Sequence, residues 1–159
     1  DIYYFCELTN TDSTASEGTV AVVRSSIVLV SVDYDYASFT FQQTGDETCK
    51  LTAYSGASLY PVIPDTDAEG RAVTAIDRGV FAEKSIVEVT IPDTVVSIAE
   101  YAFADCSALK KVKVSESITS IGTDAFNGLP DDVKFIVASE SVKELLISNG
   151  IPAERISAK

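Results

Sequence analysis

Apolar residues in the second half of this 159-residue chain return in the same frame after 23 positions. The segment VTIPDTVVSIAEYAFADCSALKK (Val89 to Lys111) is followed by VKVSESITSIGTDAFNGLPDDVKF (Val112 to Phe135). Val89 matches Val112, Ile91 matches Val114, Ile98 matches Ile121, and Ala102-Phe103 matches Ala125-Phe126, with one extra residue assigned after that last match. A third copy lies upstream. Ile63-Pro64-Asp65-Thr66 echoes Ile91-Pro92-Asp93-Thr94, and Ile76 precedes Phe81 by five residues, as Ile98 precedes Phe103 and Ile121 precedes Phe126. The first copy carries an insertion, Asp67 to Ala72, that lengthens a loop and leaves the apolar positions in place. Self-similarity at this period marks a repeat architecture.

Each copy predicts one coil: a short strand (Val89 to Ile91, Val112 to Val114), a Pro or Ser turn, a second extended stretch ending at the Ile, and a helical or 3₁₀ turn bearing the Phe. No single coil buries its own Val, Ile, Phe and Leu side chains, so coils must stack and place equivalent residues in ladders. Phe81, Phe103 and Phe126 are then a buried aromatic column. The competing reading, a stripe of rings that stacks ligands, is not needed to explain inward spacing.

The ends differ from the repeats. Val133 to Val137 predicts a final strand, and Ser139 to Gly150 a helix with capping-box spacing at Ser141 and Glu144. Its apolar face is Val142, Leu145 and Leu146, and Gly150 suits the left-handed position after a helix. This helix is expected to cover the open end of the stack. At the other end IYYFCEL, TVAVVRSSIVLVSVDY and ASFTFQQ predict two to four strands around the polar loop Thr9 to Gly18, a β-rich piece that seals the first coil.

The run of a strand such as VTIPDTV, then Ser-Ile, then YAFADCSAL resembles the BspA-like leucine-rich repeats of bacterial surface proteins. Ile98, Ala102-Phe103, Cys106 and Leu109 stand at the family's marked positions, and the likeness covers about residues 45 to 152. CKLTAYSGASLYPVIP resembles the family's opening coil, with Tyr54 and Gly56 in a Tyr-x-Gly turn. Two departures stand out: Cys106 has no counterpart in the next copy, and Ala99 replaces the glycine that Gly122 supplies. The resemblance implies a leucine-rich-repeat solenoid of α/β class, mainly short β-strands with helical or 3₁₀ turns. An N-terminal β cap would occupy residues 1–44, the coils 45–138, and a C-terminal capping helix with its tail 139–159. It further implies a non-enzymatic module, on a bacterial cell surface or secreted, that adheres to host or neighbouring cells by binding an extracellular or surface protein.

Composition narrows the alternatives. Hydrophobic residues are 46% and charged residues 23%, the balance of a folded chain. With 12 Lys and Arg against 24 Asp and Glu the formal charge is −12, so nucleic acid and anionic lipid are repelled on average. The longest strongly apolar run, Ile27 to Val32, is too short to span a bilayer. Because Asp1 opens directly into IYYFCEL, any secretion signal is expected to have been cleaved or left out of this sequence. There is no His, so Ser-His and Cys-His nucleophile pairs and an imidazole base are excluded. No cofactor motif is present, and the chain is expected to be a monomer. A glycosidase built on two carboxylates needs no His, but among 24 acids some pair always lies at a plausible separation. Of the three cysteines, Cys6 and Cys49 could form one bridge or be small buried hydrophobes, and Cys106 reads as a buried repeat residue.

Alternation about the buried Val and Ile directs Glu88 and Thr90, then Lys111 and Lys113, then Phe135 and Val137 outward from the short strands. This strand face is the candidate contact surface, although Lys110, Lys111 and Lys113 could simply keep it soluble. Asp65, Asp67 and Glu69 resemble the first half of a calcium loop, but its twelfth position is Ile76 instead of a bidentate Glu. Asp33 and Asp35 are a weaker acidic pair. Two further roles remain open: a structural spacer within a larger surface protein, or carbohydrate binding by the N-terminal strands, in a chain whose seven Tyr, but no Trp, leave stacking possible.

Overall fold

Two short strands per repeat carry the fold, seen in a computed structural model that describes residues 36–158. The chain divides into two units, residues 1–32 and 33–159, and every described residue lies in the second. The expected strands IYYFCEL and TVAVVRSSIVLVSVDY, Cys6, Asp33 and Asp35 fall outside the described residues. Of ASFTFQQ, Ala37 and Ser38 lie in a 3₁₀ turn and the rest forms a strand, β1 (Phe39–Gln43), antiparallel to β2 (Thr48–Tyr54).

From β2 onward the pairing is parallel. β3 (Ala72–Ile76) pairs with β2; then β4 (Glu88–Thr90), β5 (Ser97–Ile98), β6 (Lys111–Lys113), β7 (Ser120–Ile121) and β8 (Lys134–Val137) fall alternately into two sheets. The first sheet runs β1-β2-β3-β5-β7. The second runs β4-β6-β8 and ends with β9 (Ile156–Ala158). Parallel neighbours cannot be joined by a tight hairpin. From β3 to β8 each connection passes through the opposite sheet, so one copy of the repeat supplies one strand to each; β8 reaches β9 by way of a helix.

Register follows the sequence period. Val89 stands opposite Val112 and Val112 opposite Phe135, while Ser97-Ile98 stands opposite Ser120-Ile121. The turns bearing the aromatic residues are also bonded copy to copy: Phe81 N–H donates to the Ala102 carbonyl and Phe103 N–H to that of Ala125, both at 2.8 Å. Backbone groups that helices would satisfy internally are thus satisfied by the next copy. Phe81, Phe103 and Phe126 stack with centroids 5.0 and 5.3 Å apart and planes within 8°. Tyr54 extends the column on one side at 5.1 Å, and Phe135 closes it edge-on at 5.1 Å on the other.

The insertion Asp67 to Ala72 folds as a small hairpin: Thr66 bridges Ala72, and Gly70 takes φ +83° where its N–H reaches the Asp67 carbonyl. Ile63, Val73 and Ile76 remain buried, as the expectation of an undisturbed core required. Gly122 lacks a Cβ where one would meet Glu100 N at 2.5 Å, so this position needs the glycine that Ala99 lacks one copy earlier.

The expected helix forms as α1 (Glu140–Ser148), with Val142 and Leu146 buried. Its N-cap is Ser139 in extended conformation, without a side-chain cap bond, so the capping box expected at Ser141 does not form. Ser141 already lies inside the first turn. At the C-terminus Gly150 takes φ +86°; its N–H reaches Ile147, and that of Ile151 reaches Leu146, which completes a Schellman motif.

Candidate functional site

The second sheet presents one face to the core and one outward. Val89, Val112 and Phe135 are buried at the centres of β4, β6 and β8, so alternation turns their flanking residues outward. Glu88, Lys111 and Lys134 form one row across the strands; Thr90, Lys113 and Ile136 form the next. Ser157 of β9 continues the second row.

Phe135 and Val137, expected on this face, are instead inside, at 0% and 4% exposure. The cause is register. The extra residue assigned after Phe126 does not exist structurally: Phe126 is as far from Phe135 as Phe103 is from Val112, and the 23-residue step continues to β8. Because side chains alternate at every residue, a slip of one exchanges the two faces. Lys134 and Ile136 are the outward pair, and the unbroken step of 23 from Lys111 and Lys113 was the signal for them.

A further margin of the face was not foreseen. The segment 59–62 runs beside β4: Val87 N–H donates to the Leu59 carbonyl at 2.7 Å, and Val62 bridges Thr90 in parallel. Pro61 and Ile63 point inward, which leaves Tyr60 at 60% and Val62 at 51% exposure.

Glu88 links the two rows. Its carboxylate holds Lys111 Nζ at 2.7 Å and Lys113 Nζ at 3.0 Å. Burial disfavours its charged form, but the two ammonium groups outweigh that and hold the carboxyl below its usual pKa. Nearby, Lys110 pairs with Asp132 at 2.8 Å, and Lys134 Nζ donates to the Glu154 carbonyl at 3.3 Å.

The candidate calcium loop has a different occupant. Asp67 is buried, and its carboxylate accepts Glu69 N–H at 3.1 Å, Arg71 N–H at 2.9 Å and Arg71 Nε at 2.7 Å. Burial alone would raise its pKa; these bonds and the guanidinium lower it. Glu69 pairs with the same guanidinium at 2.8 Å, while Asp65 stays exposed. Positive charge at this loop comes from Arg71, and the three acids do not converge. Among the described residues no group of three acids or cysteines is arranged to hold a metal ion.

Cys106 is buried and donates to the Phe81 carbonyl at 3.0 Å, one copy away; burial pushes its thiol up to about 11. Burial and then the Asp67 charge push the Cys49 thiol up to about 11 as well. Both thiols serve as small core groups. Neither is poised as a nucleophile.

Comparison with known proteins bears on the repeat and its fold. A family model for a BspA type leucine rich repeat region, described as six copies, matches residues 73–147. Among solved structures, a leucine rich cell surface protein from Faecalibacterium prausnitzii is 28% identical with a TM-score of 0.57, over 64% of this chain and 30% of that one. A leucine-rich repeat protein from Bacteroides capillosus is also 28% identical, at a TM-score of 0.47 over 64% of this chain and 95% of its own. One from Bacteroides ovatus is 21% identical at 0.48, over 65% and 38%. The chain therefore spans less than a third of the Faecalibacterium protein. No curated protein matches.

Proposed function

Because residues 73–147 belong to the BspA-type leucine-rich-repeat family, whose members are in general binding modules and not catalysts, we propose that the chain recognises a protein ligand through the outward face of its second sheet. The observation that carries this reading is the pair of rows Glu88-Lys111-Lys134 and Thr90-Lys113-Ile136, held rigid by in-register parallel pairing. A surface fixed by backbone bonds loses little conformational freedom on binding, which favours affinity.

On this reading the repeats form a solenoid. The hairpin β1-β2 covers one end of its core, and α1 with β9 covers the other. The chain acts as a monomer, at a bacterial cell surface or released from one, and adheres to host or neighbouring cells. The Faecalibacterium cell surface protein supports that location by likeness. Among the described residues no helix is long and apolar enough to cross a membrane.

The test is interferometry with the whole chain immobilised, against a panel of purified extracellular-matrix proteins and bacterial surface proteins. At least one should bind saturably, and Lys111→Glu/Lys113→Glu should weaken it by about tenfold or more, since charge reversal places like charges across the interface. Absence of any binder, or a double variant that binds unchanged, would contradict the proposal.

A further inference from the structure

We infer that the outward face of the second sheet takes an acidic, extended polypeptide segment with an aromatic or aliphatic anchor; this rests on the binding-face reading above. Charge comes first. Four of the eight lysines in a chain of net charge −12 lie within β6, beside it, or at the start of β8: Lys110, Lys111, Lys113 and Lys134. An acidic partner is repelled by the molecule on average and attracted here, which selects both site and orientation. Glu88 shares one negative charge between Lys111 and Lys113, so the rows keep an excess of positive charge with donors to spare.

Spacing points to an extended chain. Residues two apart on a strand lie about 6.6–6.8 Å apart. A peptide in the same conformation laid along β6 therefore places carboxylates at alternate positions over Lys111 and Lys113. A one-strand shift, about 4.8 Å, brings the next to Lys134.

Apolar surface supplies the anchor. Of the six large apolar side chains that stand out as exposed among the described residues, Leu59, Tyr60 and Val62 fall in one four-residue segment at the margin of this face. Half-buried Ile136 lies on the other side of Lys113. A uniform polyanion, whether nucleic acid or sulfated glycan, would meet Glu88 at the centre and Asp132 beside Lys110, and would leave the apolar margin unmatched. A peptide that carries both acids and a ring satisfies all three features.

The experiment pans a displayed library of random dodecapeptides against the whole folded chain, with heparin and single-stranded DNA as competitors. Peptides enriched by about twofold or more in Asp and Glu, with an aromatic or large aliphatic residue, should be selected. Raising NaCl from about 50 to about 500 mM should weaken the best of them by about tenfold, since exposed charges are screened at that ionic strength. Lys111→Glu/Lys113→Glu should lose them; Val62→Asp should weaken them while leaving the circular dichroism spectrum and melting temperature near wild type. No enrichment, neutral or basic sequences, retention of acidic peptides by the double variant, or displacement by heparin or DNA but not by free acidic peptide would overturn it. If a surface protein binds through Lys111 and Lys113 while the selected peptides are not acidic, the inference fails and the broader binding-face reading stands. If neither binds, both fail.

Discussion

Replacing Phe103 by Ala should strongly destabilise the stack. The ring is fully buried and sandwiched between Phe81 at 5.0 Å and Phe126 at 5.3 Å, nearly parallel to both. Phe→Ala in cores costs about 3 to 5 kcal/mol. Ring contact on both faces places this site at about 4 kcal/mol. At about 4 °C per kcal/mol for a unit of this size the melting temperature should fall by about 16 °C. In urea the midpoint should fall by about 2 M. Against a total stability of about 5 to 15 kcal/mol the variant would be marginal at body temperature. Tyr60→Ala, which removes an exposed ring, should stay within about 0.5 kcal/mol of wild type and serves as the control. Phe81→Ala/Phe103→Ala should cost less than the sum of its parts by about 0.5 to 1.5 kcal/mol, because either single change already removes their mutual contact. Thermal and urea melts by circular dichroism read all five proteins, Phe81→Ala alone included. A loss for Phe103→Ala below about 1 kcal/mol would refute the buried column.

Arg71→Ala should destabilise the chain at neutral pH by leaving the buried Asp67 carboxylate without its guanidinium. Since Asp67 has a lowered folded pKa, its contribution is complete above the unfolded value of about 3.9 and disappears as pH falls through the folded one. The gap between wild type and variant should therefore narrow progressively in melts as pH falls below about 4, whereas a gap that widens with acid would contradict the pairing. Cys49 and Cys106, with thiols pushed up to about 11, should resist maleimide at pH 7.5 until the protein unfolds. Peptide mass spectrometry reads each site, and rapid native labelling of either would show it accessible. Gly128→Ala should lower the melting temperature because its new Cβ meets the Asp105 carboxylate. The φ of +68° matters less, since Asp105 and Glu83 adopt the same left-handed conformation at equivalent places. Gly128→Ala/Asp105→Ala should recover most of the loss, and no recovery would locate the strain in the backbone instead.

Repetition made the core legible in the sequence. Phe81, Phe103, Phe126, Ile98 and Ile121 were readable because each recurs against a copy of itself, so spacing alone fixed which side chains must meet. The face of the last strand was not, because one supposed extra residue turned Phe135 and Val137 outward; in a period-two structure that error inverts every assignment beyond it. β9 and the segment 59–62 left weaker signals. ERISAK contains one large apolar residue, Ile156, and its strand conformation comes from pairing with β8 and not from its own pattern. Pro61 likewise gives 59–62 the look of a loop, though the segment lies at a sheet edge where a proline is tolerated. The insertion resembled a calcium loop because its acids alternate. Arg71, just past the glycine, was the residue that decided otherwise.

A crystal structure of the chain would test the central claim, in-register stacking of 23-residue copies, most directly. The rings of Phe81, Phe103 and Phe126 should lie in one column with centroids about 5 Å apart. Glu88, Lys111 and Lys134 should share one outward row, with Val89, Val112 and Phe135 beneath them. Rings found in separate cores or in water, or a β8 register that returns Phe135 to the outer face, would contradict it.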